Sequence, residues 1–257
     1  MSRRSACASS FAAAVAVLTV AVSAHAGAAA KGSSAAPLVQ SMIVGSGGTV
    51  LSPARTVSAG ATSVRVGGGS CAVAAGTPLS MLAALRRAGG PPFALRDYGR
   101  CNSSARNSGQ LFVYSLGGER NRGQDGWEYK VDGVSGTTGA ADPSGPMGDG
   151  RRLRSGSQVL WFWCVAFAGG CQRTLHLALG ASVASRGGSL SVTVTGYDNE
   201  GRAAPVAGAI VTLGTDFAQT STVGQASLLV PSVSGSYAVS ARKSGLVGSF
   251  PETIVVR

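Results

Sequence analysis

Trp127-Glu128-Tyr129-Lys130-Val131-Asp132-Gly133 is the stretch on which the fold turns. Trp127, Tyr129 and Val131 alternate with Glu128 and Lys130, the period of two that puts one set of side chains on each face of a β-strand. Asp132-Gly133 then supplies hairpin turn chemistry. Downstream, Val159 to Cys164 (VLWFWC) is apolar at every position, as a strand covered on both faces would be. Arg173 to Leu179 alternates Leu175, Leu177 and Leu179, and is read as a further strand of the same sheet. Upstream, Leu111 to Leu116 reads as another strand, and Thr49-Val50-Leu51 and Thr62 to Val66 as short β-branched ones bounded by glycines. One segment reads as a helix. Thr77 is its N-cap, Pro78 takes the first helical position, Met81, Leu82, Leu85 and Ala88 recur at helical spacing, and Gly89-Gly90 ends it before Pro91-Pro92. The expectation is a sheet with one helix packed across it.

Beyond this region the texture changes. Gly180 to Ser189 is small and polar and reads as a linker, 181–188 at its centre. Leu190 to Val194, Ala209 to Leu213, Ala226 to Val230, Tyr237 to Ala241 and Thr253 to Val256 are short strands between Gly, Asn, Pro and Ser turns, the spacing of a small β-sandwich. At the other end Arg3 and Arg4 precede the apolar run Phe11 to Val22, and Ala24-His25-Ala26 is a small-x-small cleavage site. That run is shorter than the ~20 residues a membrane span needs. Residues 1–26 therefore read as a signal peptide cleaved after Ala26, and 27–44 as a flexible leader. The order is a first domain over 45–180, a linker over 181–188 and a sandwich over 189–257, in fold class α+β followed by all-β.

The 257 residues hold 22 Lys plus Arg against 11 Asp plus Glu, and only 13% are charged, which excludes a charge-driven disordered chain or a coiled coil. Once Cys7 leaves with the signal peptide, Cys71, Cys101, Cys164 and Cys171 remain, an even set suited to an oxidising compartment. Cys164 and Cys171 lie close enough to bridge a loop, which leaves Cys71 to pair with Cys101 across the helix. By loop-closure entropy the longer bridge is worth roughly 3–4 kcal/mol and the shorter roughly 2–3 kcal/mol. No CxxC spacing points to zinc.

The segment from about Ser63 to Leu179 resembles bacterial domains similar to the C-terminal β-grasp domain of transcobalamin and intrinsic factor. The residues that carry the likeness are Gly76-Thr77-Pro78-Leu79, Gly126 to Gly133, Gly139-Ala140-Ala141 and Ser157 to Trp161. Pro143 to Leu153 is an insertion relative to that pattern, and both cysteine pairs are additions to it. Residues from about Gly188 onward look like carboxypeptidase-regulatory or collagen-adhesin-B sandwiches, on Val206 to Ala209, Gly224-Gln225-Ala226 and Gly235 to Val239. The resemblances imply a β-grasp-like sheet with one packed helix, then an immunoglobulin-like or prealbumin-like sandwich. They also imply corrinoid binding, but the helical barrel that holds most of such a ligand has no counterpart in this sequence.

Catalysis needs a proton-transfer group, a metal or an activated nucleophile. His176 alternates with leucines and reads as a solvated strand residue. No nucleophile elbow occurs, and Asp125, Glu128, Asp142 and Asp149 read as turn or strand-face residues more readily than as a glycosidase pair. No enzyme, cofactor or metal is expected. The ligand-like residues are Trp127, Tyr129, Gly139, Ala140, Trp161 and Trp163, although most of the rings read more simply as core. Arg86, Arg87, Arg120, Arg122, Arg151, Arg152 and Arg154, with Arg96, Arg100 and Arg106, form a candidate basic face; a basic composition explains the same residues without function. The leading expectation is a secreted, non-catalytic binding or cell-surface interaction protein. An anionic cell-wall polymer, a glycan or a small molecule would be its partner, and nucleic acid would not, because export separates the two. The alternatives are small-molecule capture, with a corrinoid as the ligand the resemblance implies, and a secreted carbohydrate-active hydrolase.

Overall fold

Leu38–Val44 (LVQSMIV) is strand β1, and it lies inside a sheet rather than in a leader. The computed structural model describes residues 35–167 and 170–257; the proposed signal peptide lies outside the described residues. Composition explains the correction. The small, polar texture of the leader stops at Pro37, and β1 buries Val39 and Ile43 on one face and Met42 and Val44 on the other.

The strands that follow are β2 (Val50–Ser58), β3 (Thr62–Val66) and β4 (Gly69–Val73), then helix α1 (Pro78–Arg87). After the helix come β5 (Phe93–Asp97), β6 (Leu111–Leu116), β7 (Glu119–Arg120), β8 (Gly126–Val131), β9 (Val134–Ser135) and β10 (Gln158–Cys164). The main sheet has the order β2-β1-β10-β8-β9, with β1 and β10 parallel and every other neighbour antiparallel. The all-apolar β10 is therefore the middle strand. Two small accessory sheets, β3-β4 and β5-β6-β7, complete this lobe.

Helix α1 begins with a reciprocal cap. Thr77 Oγ1 accepts from the Ser80 amide at 3.2 Å, and Ser80 Oγ accepts from the Thr77 amide at 3.1 Å, so two amides that a helix start leaves orphaned find partners. Leu79, Met81, Leu82 and Leu85 pack in one core with Ile43, Val159, Trp161 and Trp163 from the main sheet. Asp132, at φ 50°, and Gly133, at φ 88°, both occupy the left-handed region that a two-residue hairpin between β8 and β9 requires.

The second lobe comprises β11 (Thr174–Leu179), β12 (Val183–Ala184), β13 (Ser189–Tyr197), β14 (Ala203–Pro205), β15 (Ile210–Leu213), β16 (Asp216–Gln219), β17 (Gln225–Leu229), β18 (Gly235–Arg242) and β19 (Glu252–Val256). Two sheets, β11-β13-β14 with β17 also on β13, and β12-β19-β18-β15-β16, enclose a second core of Leu177, Val192, Val194, Val211, Leu213, Val239 and Ile254. This is a β-sandwich. Two assignments differ from the sequence reading. The strand at 173–179 joins the sandwich by pairing with β13, because Leu175 and Leu177 bury into the second core. The proposed linker contains β12, which pairs in parallel with β19.

Disulfides join Cys71 to Cys101 and Cys164 to Cys171. The first ties β4 to the loop after β5; the second closes the crossing from β10 to β11.

Candidate functional site

The face of the main sheet away from α1 is not solvated. Met42, Val44, Leu160, Phe162 and Cys164 form a third apolar cluster with Val247, and Phe250 packs against it, so the segment between β18 and β19 covers this face. Lys130, which alternation places on the same face, is cross-strand from Leu160 and only 1% exposed. Its Nζ donates to the carbonyls of Tyr197 at 2.9 Å and Asp198 at 2.8 Å, and to Thr174 Oγ1 at 3.4 Å. The Phe162 ring lies 5.9 Å from the same nitrogen. Burial pulls the Lys130 pKa down to about 8, against the weaker opposing pull of the Asp198 and Glu200 carboxylates.

Near this lysine a further bond joins the two lobes: the Ser135 amide donates to the Asn199 carbonyl at 2.9 Å. Within the second lobe Arg173, just before β11, donates to the Gly196 carbonyl at 3.2 Å and lies 4.0 Å from the Asp198 carboxylate. A cleft of about 340 Å³ opens beside the junction, lined among others by Lys130, Asp132, Gln158, His176, Tyr197 and Phe250. Its polar groups are already engaged. Asp132 accepts from the Gln158 amide at 2.7 Å, and Gln158 Nε2 donates to Gln40 at 2.8 Å. The exposed His176 ring lies edge-on to Tyr197 at 5.8 Å. A charged Lys130 has three N–H donors and all three are taken, so the ammonium offers no lone pair for attack. Chemically the arrangement is a clamp.

The ring residues singled out from sequence lie in the first core. Trp127, Tyr129, Ala140, Trp161 and Trp163 are all buried. Trp127 meets Trp163 edge-on at 5.7 Å, and Tyr129 tilts against Trp161 at 5.3 Å. Trp127 Nε1 donates to the Glu119 carbonyl and the Tyr129 hydroxyl to the Thr138 carbonyl. Gly139 is a packing position, since a Cβ there would collide with the Gly109 carbonyl oxygen. These residues are brought together, but as sheet-to-helix packing rather than as an open platform.

Arg86, Arg87, Arg120, Arg122, Arg151, Arg152 and Arg154 are all exposed, spread over the last turn of α1, β7 with its following turn, and the loop before β10. Among the described residues the ion pairs are Arg151–Asp149, Arg173–Asp198 and Arg202–Glu200. Arg86, Arg87, Arg120, Arg122, Arg152 and Arg154 thus face solvent with no carboxylate in salt-bridge range. Arg122 lies over the Trp163 ring at 5.5 Å. Asp142 and Asp149 do turn work, accepting from the Ser144 and Arg151 amides, while Asp125 accepts from the distant Ala166 amide. Among the described residues no cluster of three or more His, Cys, Asp or Glu could hold a metal, and no helix is long and apolar enough to cross a membrane.

Lys130 is the residue sequence reasoning passed over. The apolar residues on both faces of β10 hint that the sheet has a second covered face, but Glu128 on that face of β8 is exposed while Lys130 is buried. The cover over Lys130 comes from the segment that carries Val247 and Phe250.

No family model matches the sequence, and no curated protein matches it. Among solved structures it is similar to the D00-D0 domain of Intimin, with 14% identity over 58% of this chain and 90% of that one, at a TM-score of 0.26. It is also similar to the D0-D1 domain of Intimin, with 13% identity over 84% and 96% of the two chains, at a TM-score of 0.25.

Proposed function

We propose that the protein is an exported, non-catalytic binding protein that engages an anionic polymer outside the cell. The observation that carries this reading is the set of exposed arginines without carboxylate partners, held on a scaffold with two disulfides and a buried lysine clamp. Unpaired surface cations attract polyanions over a Debye length, and a rigid frame keeps them in place. The disulfides suit an oxidising, extracellular setting. Within the same reading the first lobe is a β-grasp-type scaffold. Its support is the order β2-β1-β10-β8 with the two middle strands parallel and α1 lying between the opening hairpin and β8 in sequence. The second lobe is a spacer or adhesion sandwich of the prealbumin-like or immunoglobulin-like kind.

The test is cosedimentation with an acidic wall polymer. Saturable binding is expected, weakening steeply as salt rises from ~0.1 M to ~1 M and the Debye length falls from about 10 Å to about 3 Å. Binding that ignores salt, or none at low salt, would falsify the reading.

A further inference from the structure

The outer face of the β5-β6 hairpin holds the aromatic residues that the core did not absorb. Leu111 and Val113 point inward and are buried, while Phe112 and Tyr114, alternating with them, point outward. Arg96 is cross-strand from Phe112, and its guanidinium lies 4.8 Å from the centre of the Tyr114 ring. Tyr98, two residues beyond Arg96, sets its ring 5.9 Å from that of Phe112. Tyr98 is 66% exposed and Phe112 is 40% exposed. The result is a row of three rings along one face: Tyr98 meets Phe112, and the half-buried Tyr114 follows on the same strand with the Arg96 guanidinium against it.

The strip is also held still. Asp97 accepts from the amides of Gly99 and Cys101, both at 2.9 Å, which folds the loop that carries Tyr98. Cys101 is bonded to Cys71, and the Ala72 amide donates to the Asn102 carbonyl at 2.8 Å, so the far end of that loop is fastened to β4. Exposed rings in a fixed loop lose little conformational freedom when something docks on them.

We infer that this strip, Tyr98, Phe112 and Tyr114 with Arg96, is a subsite for an acidic polysaccharide whose pyranose rings carry carboxylates. The inference rests on the anionic-polymer reading above and gives it a location. The electron-rich face of an aromatic ring attracts the slightly positive C–H face of a sugar ring, and the stripped-back polarity of that sugar face suits an apolar surface. Consecutive sugars present such faces in series, which matches rings in series. Arg96 adds a fork of donors of the geometry a sugar carboxylate accepts. A protein partner would need a larger apolar patch than three rings flanked by charge, and a polyphosphate would have no use for the rings.

The experiment compares the purified protein and four variants on polygalacturonate, a neutral dextran and polyphosphate, by affinity electrophoresis and titration calorimetry. Y98A and F112A are each expected to weaken polygalacturonate binding about tenfold or more while leaving polyphosphate binding within about twofold. Y98F is expected to bind like the parent, because the ring and not the hydroxyl makes the contact. R86A/R87A, which alters cations at the end of α1, separates the two readings. If it weakens both polyanions while Y98A and F112A change neither, the strip is wrong and the general reading stands. If the parent protein binds neither polyanion at low salt, both fall. Equal loss for both polyanions in Y98A, or self-association abolished by F112A without effect on sugar binding, also overturns the subsite.

Discussion

Lys130 is where a single side chain has the largest consequence. Its ammonium is buried and its pKa in the folded protein is about 8, against an ordinary 10.5. Between those values the unfolded chain holds a proton that the folded chain has released, so stability rises with pH across that window. Tyr129 acts in the opposite sense. Burial raises its pKa from 10.0 to about 12, so above pH 10 the folded chain keeps a proton that the unfolded one loses, and stability falls. Urea titrations at stepped pH are expected to show greatest stability near pH 10. K130M is expected to flatten the rise and Y129F the fall; an unchanged rise in K130M would show that another group titrates there. The burial of Tyr129 was legible in the alternation, but that of Lys130 was not. The alternation of 127–131 gave the correct faces, but whether the second face is wet depends on Val247 and Phe250, more than a hundred positions away in the chain.

At the scale of elements, α1 was the most legible part of the fold because its signals are local: a cap, a proline, a spacing and a glycine stop. Its boundaries in the structure, Pro78–Arg87, follow those residues. Replacing Thr77 by Ala is expected to cost about 1 kcal/mol, read as a lower denaturant midpoint, since the amide of Ser80 loses its acceptor. Strands whose partners are distant were harder to read. β1 has Gln40 and Ser41 in its middle, so its apolar pattern is broken, and its pairing with β2 on one side and the distant β10 on the other makes it a strand. β11 shows clear alternation, yet alternation identifies a strand without naming its sheet. The cysteines were legible because four sites admit few pairings. Cys71 and Cys101 are 30 residues apart, and C71S/C101S is expected to lower unfolding free energy by roughly 3–4 kcal/mol. The same variant frees the far end of the Tyr98 loop. The ring residues were read as both candidate ligand surface and core, and the core reading prevailed because strands β8 and β10 turn the same face toward α1.

For the whole molecule, the junction of the lobes decides how cooperative unfolding is. Trp127, Trp161 and Trp163 all lie in the first core, so tryptophan emission reports that lobe, while far-ultraviolet circular dichroism reports both. With Lys130, the Ser135–Asn199 bond and the Val247 contact linking them, the two signals are expected to give one coincident thermal transition. Two separated transitions would mean that the junction is weaker than its bonds suggest. The placement of β1 sets the order of events as the polypeptide is made. Its partner on one side, β2, follows at once, but Gln40 meets Gln158 on the other. Until synthesis has passed residue 164, the hairpin at the start has an unpaired flank, and the face that Val247 and Phe250 cover stays open longer still. A polypeptide built this way carries an open strand edge through most of its synthesis, a template with which other chains can pair before its own partner arrives.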